Sequence, residues 1–388
     1  MRRGGALMSS APRQIAPDAT NRLIALEVLR FVSAFAILIF HYRHFFYVSD
    51  QPVGLVPERL PLYGVLSAFY ESGPFGVWIF WCISGFIFFW KYRDAIAGGT
   101  VSGRQFFVLR FSRLYPLHFV TLLMVALLQS AYFNLHRCFF VYQSNDPWHF
   151  LAQLFLASEW QGTQDLSFNG PIWSVSVEVL VYLWFFLMLR ATRSWWLNVA
   201  IVVLCLDNVL QGSNRQLLLC LAFFNIGGLA AIARQAVGGS RYRRAIETSA
   251  MIAAAVIPPL AVVMLGDRLA NVAFPLFLAY TPILLFCLSR NITMPRWAQA
   301  TIEAAGNMTY SSYLLHFPIQ LSIMIGFTIA GRPVPVYSGA LLTIYVLTTL
   351  CLSYLTFRCF EAPAQRFIRS AFRRDVPSRE VLTPASSA

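Results

Sequence analysis

Residues 29–45 read LRFVSAFAILIFHYRHF, an apolar stretch with Arg30 at one end and His41 near the other. About twenty apolar residues are needed for a helix to cross the hydrocarbon core of a bilayer, and the run over 24–44 supplies them. Ionisable side chains within such a span are costly and face a protein interior or a wet cavity. These seventeen residues therefore ask for a membrane bundle whose interior accepts a guanidinium and an imidazole. Eleven residues separate Arg30 from His41. That is about three helical turns, which puts both side chains on one face, roughly 16 Å apart along the axis.

The rest of the chain repeats the apolar pattern. Of its 388 residues, 57% are hydrophobic and only 12% charged. Soluble domains carry about 25% charged residues, so a soluble class is excluded. Spans are predicted near 24–44, 74–90, 113–131, 171–190, 195–211, 216–233, 247–265, 271–289, 308–330 and 337–358. The expected fold is all-α, a polytopic transmembrane bundle of about ten helices. A net charge of +13 would suit nucleic acid if it lay on one soluble face. Instead the basic residues alternate with apolar runs, as the positive-inside rule requires, and no nucleic-acid partner is expected. With the N-terminus inside, internal segments hold 23 of the 30 basic residues and external ones six. Both termini are thus expected to be cytoplasmic.

The first apolar run is long for the h-region of a signal peptide and no small-residue cleavage site follows it, so that span reads as a permanent helix. The expected organisation is a basic tail over 1–23, a membrane domain over 24–360 and a second basic tail over 361–388. The seven cysteines are scattered, without CxxC or Cys/His spacing, which implies neither a disulfide framework nor zinc.

Several stretches could carry chemistry. Glu27 lies one turn before Arg30 and is placed to pair with it, so an interfacial ion pair and an interfacial histidine are one reading of that helix. In FFVLRFSRLYPLHF (106–119), Arg110 and Arg113 share a face. Two guanidiniums make a bidentate site suited to phosphates; ordinary positive-inside anchoring is the other reading. His118 reads as an interior histidine. In NGPIWSVSVEVLVY (169–182), Glu178 falls about 10 Å below the outer surface, a level His41 also reaches, so a Glu178–His41 pair is geometrically open, a structural hydrogen bond being the other reading. Trp173 and Ser174 open the same helix. YSSYLLHFPI (310–319) places His316 roughly 12 Å above the inner surface, within reach of Arg30, the arginine pair or a neighbouring helix. Ser84–Gly85–Phe86 offers small residues for close helix approach. The long external loops, 45–73 and 132–170, carry acids and aromatics, among them Asp146, Tyr70 and Trp160, fit to roof a site for a sugar-like ligand.

No Walker loop, GxSxG or DxD-type signature occurs. Cations at the inner face and a histidine–carboxylate pair near the outer one leave two readings open. One is transfer of a group from a phosphate-bearing donor across the membrane. The other is a transporter or flippase of lipid-linked sugars or small anions, against which stands the lack of matched Gly/Pro-broken helices.

Six motifs in order resemble the acyltransferase 3 family of integral membrane acyltransferases. EVLRFVSAFAILIFH (27–41) is similar to its D-G-L-R start and R-x10-H helix, with Glu27 where the family often has Asp. GVWIFWCISGF (76–86), RFSRLYPL (110–117), IWSVSVEVLVY (172–182), YSSYLLHFPI (310–319) and FRCFEAP (357–363) resemble the motifs that follow. The resemblance implies transfer of an acyl group, most often acetyl from acetyl-CoA, to a hydroxyl of an exported saccharide or glycolipid. Such acceptors include exopolysaccharide, O-antigen and lipo-chitooligosaccharide nodulation factors. It implies a stand-alone multi-pass protein of a bacterial inner membrane, in contact with lipids, with acetyl-CoA as cosubstrate and no metal. By motif, His41 would be the catalytic histidine, Arg30 the essential arginine and Glu178 part of the site. Arg110 and Arg113 would hold the donor's phosphates, and Trp173, Ser174 and His316 would bind substrate. His41 would act as general base on the acceptor hydroxyl, or first take the acyl group itself.

Overall fold

A computed structural model describes residues 23–162, 165–212 and 216–374. Residues 1–22 of the first expected tail and 375–388 of the second lie outside the described residues. Within the second, Ala362–Arg374 is helical.

Helix α1 (Ile24–His41) runs into a short 3-10 turn, Tyr42–Phe46, and a two-residue hairpin. The second span, α2, covers Tyr63–Ala97, starting well before the expected residue 74. Pro74 explains the short expectation: it breaks the helical pattern, and the chain absorbs it as a kink at Ser72 within one long helix. α3 (Gly103–His136) opens with a capping box in which Ser102 and Gln105 satisfy each other's backbone N–H. Arg110 and Arg113 therefore sit well inside a helix, not at its mouth. A short helix, α4 (Pro147–Leu154), precedes α5 (Trp173–Ala191). Then come α6 (Trp195–Leu210), α7 (Gln216–Gly238), α8 (Arg243–Leu265), α9 (Leu269–Leu288) and an amphipathic α10 (Arg296–Asn307). α11 (Thr309–Ile329), α12 (Gly339–Thr356) and α13 (Ala362–Arg374) complete the chain. Among the described residues eight helices are long and apolar enough to cross a membrane. Two shorter apolar helices, Trp195–Leu210 and Val272–Leu288, stand where the fifth and eighth spans are expected.

The arrangement is a helical membrane bundle. α1, α2, α5, α7 and α11 surround the core, whereas α8 buries only Glu247 and Ala261. Its Val256, Val262 and Val263 face outward, as do Leu347 and Leu355 of α12, an apolar exterior suited to lipid. The small residues at 84–86 serve as expected. A Cβ on Gly85 would stand 1.9 Å from the Phe224 carbonyl oxygen, and one on Gly227 1.9 Å from that of Cys82. The α2 and α7 backbones thus touch through paired glycines.

Residues 167–172 do not lie over the bundle but inside it, all of them buried. Irregular backbone is tolerated at that depth only when its polar groups are met by protein. Side chains meet them here: Gln153 donates to the Ser167 carbonyl at 2.8 Å, Tyr313 to that of Pro171 at 2.5 Å, and Asn145 accepts from the Phe168 N–H at 2.6 Å. Asn169 in turn donates to the Leu314 carbonyl at 3.1 Å. Outside this plug, Asp146 caps α4, and His149 bridges the carboxylates of Asp146 and Asp165 at 2.6 and 3.2 Å.

Two outcomes follow from this packing. Gly85→Ala or Gly227→Ala should destabilise the bundle by about 1–3 kcal/mol through overpacking. Gly326→Ala, with open space at its Cβ, should melt like wild type in bilayer discs. The second concerns acid. Amide and imidazole donors of His149 hold the Asp146 carboxyl below its usual range. A depressed carboxyl favours the folded clasp at higher pH, and the benefit is lost as pH falls through the lowered value. A 13C carboxyl titration should show Asp146 protonating only below the ordinary aspartate range.

Candidate active site: a basic cavity and a histidine stack

A cavity of about 350 Å³ enters the bundle from the end where α1 and α3 begin. Glu27, Arg30, Lys91, Arg110, Arg113 and Asn307 line its open part; Ser84, Trp81, Ser174, Val175, Glu178, Tyr182 and Tyr313 line the deeper part. Arg30, Arg110 and Arg113 are thereby brought together from two helices, as the sequence pattern suggested.

Each arginine is held differently. Arg30 Nη1 pairs with Glu27 Oε2 at 2.8 Å, and Nη2 donates to Thr309 Oγ1 at 3.2 Å. Gly306 makes room for this pair, since a Cβ there would overlap the Glu27 carboxylate. Arg113 faces Glu361 at 3.5 Å. Glu361 is only 1% exposed, sits in a π-helical turn and accepts from Ser311 at 2.7 Å and Gln365 at 3.1 Å. Arg110 has no carboxylate within ion-pair distance among the described residues. It lies over the Phe88 ring, 4.7 Å from its centre, and donates to the Tyr92 hydroxyl at 3.1 Å. It is the guanidinium most available to an incoming anion.

Glu178 belongs to this basic cavity, and the Glu178–His41 pair that the sequence left open does not form. Its hydrogen-bond partners are Ser84 and Tyr182. The depth reckoned from sequence was too shallow. The residues before α5 are themselves sunk in the bundle, so Ser174, and not Glu178, reaches the level of Tyr313.

His41 is outside the cavity lining, in a stack of imidazoles. Its ring is 4.8 Å from that of His316 at 24°, and 4.8 Å from that of His44 at 47°. His316 approaches neither Arg30 nor the arginine pair. Its Nδ1 faces the Ser312 carbonyl at 3.3 Å, which can only accept, so the ring lone pair is on Nε2. That Nε2 is buried without a partner among the described residues. Tyr313 links cavity and stack: it lines the cavity, receives a hydrogen bond from Ser174 at 2.7 Å, and its ring is 6.0 Å from that of His316. Trp173 packs edge-on against Trp81 at 5.7 Å, beside the site and outside the cavity lining. His118 is fully buried and holds the Gln153 carbonyl at 2.7 Å, an interior tie between α3 and α4.

Sequence reasoning passed over Ser84, Tyr182, Tyr310, Tyr313, His44 and Glu361 as site residues. Two signals were present: the H-x-x-H spacing of His41 and His44, and a carboxylate closing the last motif.

Comparison with known proteins gives the chemistry a class. Residues 23–358 match the acyltransferase 3 family, described as an acyltransferase domain, and the chain belongs to that family. It is also similar to "Acyltransferase MdmB" of Streptomyces mycarofaciens, 29% identical over 204 residues, which are 50% of this chain and 48% of that protein. The chain thus spans about half the length of this curated relative. No solved structure matches.

The Glu361 contacts carry an expectation of their own. Glu361→Ala would leave Arg113 and Ser311 without their carboxylate, and breaking a buried pair in this way costs about 3 kcal/mol. Glu361→Gln keeps an acceptor for Ser311 and should lose less. Thermal unfolding in bilayer discs should rank wild type above Glu361→Gln, and that above Glu361→Ala.

Proposed function

From its place in this acyltransferase family, we infer that the chain moves an acetyl group from acetyl-CoA to a hydroxyl of an exported saccharide or glycolipid. Exopolysaccharide, O-antigen and lipo-chitooligosaccharide are the acceptor classes in view, and a bacterial inner membrane is the setting. The observation that carries this reading is the alignment of a basic cavity, the Ser174–Tyr313 pair and the His41–His316 stack along one path. Arg110, Arg113 and Arg30 bind phosphates of the donor, Arg110 foremost because no carboxylate lies within ion-pair distance of it among the described residues. The cavity guides the acyl end toward Tyr313. The acceptor hydroxyl meets His41 from the loop side.

The chemistry asks little of the protein beyond placement and one proton. His41 takes the hydroxyl proton as the acceptor oxygen bonds to the thioester carbonyl carbon. The C–S bond breaks, and His41 returns the proton to the departing sulfur. His316 supports the imidazole face and offers Nε2 as an acceptor to the saccharide. Glu178, among arginines and Tyr182, counters their charge and shapes the donor end instead of serving the histidine.

Steady-state kinetics on purified protein in bilayer discs test this reading. His41→Ala should lower kcat by about 10²–10⁴-fold with acetyl-CoA binding retained. Arg110→Gln should instead raise KM for acetyl-CoA, more at low salt than at high salt. Wild-type turnover in His41→Ala would contradict the assignment.

A further inference from the structure

Gln320 is fully buried on α11, one turn beyond His316, and its amide spans two residues that flank the end of α1. Nε2 donates to the main-chain oxygen of His41 at 2.7 Å, and Oε1 faces Nδ1 of His44 at 3.2 Å. A main-chain carbonyl can only accept, so the amide has one possible orientation. Its oxygen must then accept from His44, which places the His44 hydrogen on Nδ1 and the lone pair on Nε2. His41 is the last residue of α1. The His41 carbonyl also opens the 3-10 turn Tyr42–Phe46, so Gln320 adds a side-chain donor at the junction between the two helices.

The His41 ring itself is held by a backbone hydrogen bond to Ile37 and by the rings of His44 and His316, and the Gln320 amide holds the chain beneath it. His44 is 6% exposed and is walled edge-on by Tyr47, Tyr142 and Phe317 at 5.5, 5.9 and 6.1 Å between ring centres. No carboxylate is hydrogen-bonded to His41 or His44 among the described residues. Arg43, the nearest cation in sequence, is turned to the Tyr70 carbonyl at 3.0 Å and the Phe40 ring at 4.3 Å. Catalytic imidazoles are commonly aimed by a carboxylate or carbonyl on the second ring nitrogen. Here the amide holds the helix end from which the ring projects, while His41 Nδ1 is buried without a partner among the described residues.

We propose that Gln320 and His44 form a clamp that closes α1 and aims the His41 imidazole, making both positioning residues for acyl transfer. The proposal rests on His41 being the base. Neither residue exchanges a proton with substrate, and His44 acts through its Nδ1–H.

The test pairs a spectrum with kinetics, on full-length protein in bilayers. Solid-state 15N spectra of histidine-labelled protein should show His44 protonated at Nδ1 in wild type, and altered in Gln320→Leu. Gln320→Leu should lower kcat about a hundredfold with KM for acetyl-CoA unchanged. His44→Asn, whose amide nitrogen stands where Nδ1 stood, should retain at least ten times the activity of His44→Ala. His44→Gln, whose amide stands where Nε2 stood, should not. A His44 hydrogen on Nε2 would overturn the clamp. So would rescue by Gln instead of Asn, wild-type kcat in Gln320→Leu, or a rise in KM matching the fall in kcat. The spectrum does not depend on which substrate is used. An Nδ1–H signal without acetyl transfer by wild type would sink the proposed function and leave the clamp standing.

Discussion

A charge placed inside a helical bundle must be answered by another charge, a dipole or water, and this constraint arranges the whole interior. Three guanidiniums enter from one end and each is answered differently: Arg30 by Glu27, Arg113 by Glu361, and Arg110 by a hydroxyl and an aromatic face. The neighbouring elements bend to make these answers possible. Gly306 clears space for the Glu27 carboxylate, and the π-helical turn before α13 carries Glu361 into the bundle. What remains between the paired cations is a cavity that is basic at its mouth and narrows toward hydroxyls. Paired arginines are held in place before a ligand arrives, which lowers the ordering cost of binding.

The second organising feature is the sunken segment before α5. By entering the membrane domain as irregular chain, residues 167–172 push α5 toward the basic end and take Glu178 with it. They also bring the Pro171 carbonyl to Tyr313, so that the floor of the cavity and the histidine stack share one side chain. The interior is thus graded from cations, through a carboxylate and tyrosines, to three imidazoles with no acid hydrogen-bonded to them among the described residues. That order suits chemistry in which a polyanionic donor stops short and only its reactive end continues.

Much of this was legible in the residues, and the exceptions have physical causes. Span positions follow from apolar length, so eight long helices and two shorter ones lie where the hydropathy pattern predicts. Arg30, Arg110 and Arg113 meet because helical spacing fixes their faces, and the Glu27–Arg30 pair forms at one-turn spacing. Glu178 was misjudged because depth was counted along a helix assumed to begin at the surface. Nothing in NGPI announces that its backbone is buried; the side chains that make burial tolerable, Gln153, Asn145 and Tyr313, lie elsewhere in sequence. His316 and His44 were separable from His41 only in sequence: a stack spanning α1 and α11 depends on the helix crossing, which no local pattern encodes.

On the proposed function, the donor enters from the basic end while the acceptor is modified on the opposite side of the membrane. Sealed vesicles of both orientations, given acetyl-CoA labelled in its acetyl group, test it most directly. Label should reach endogenous saccharide only when acetyl-CoA meets the face carrying the arginine cavity. Equal labelling from both faces, or labelling only from the loop side, would contradict the claim.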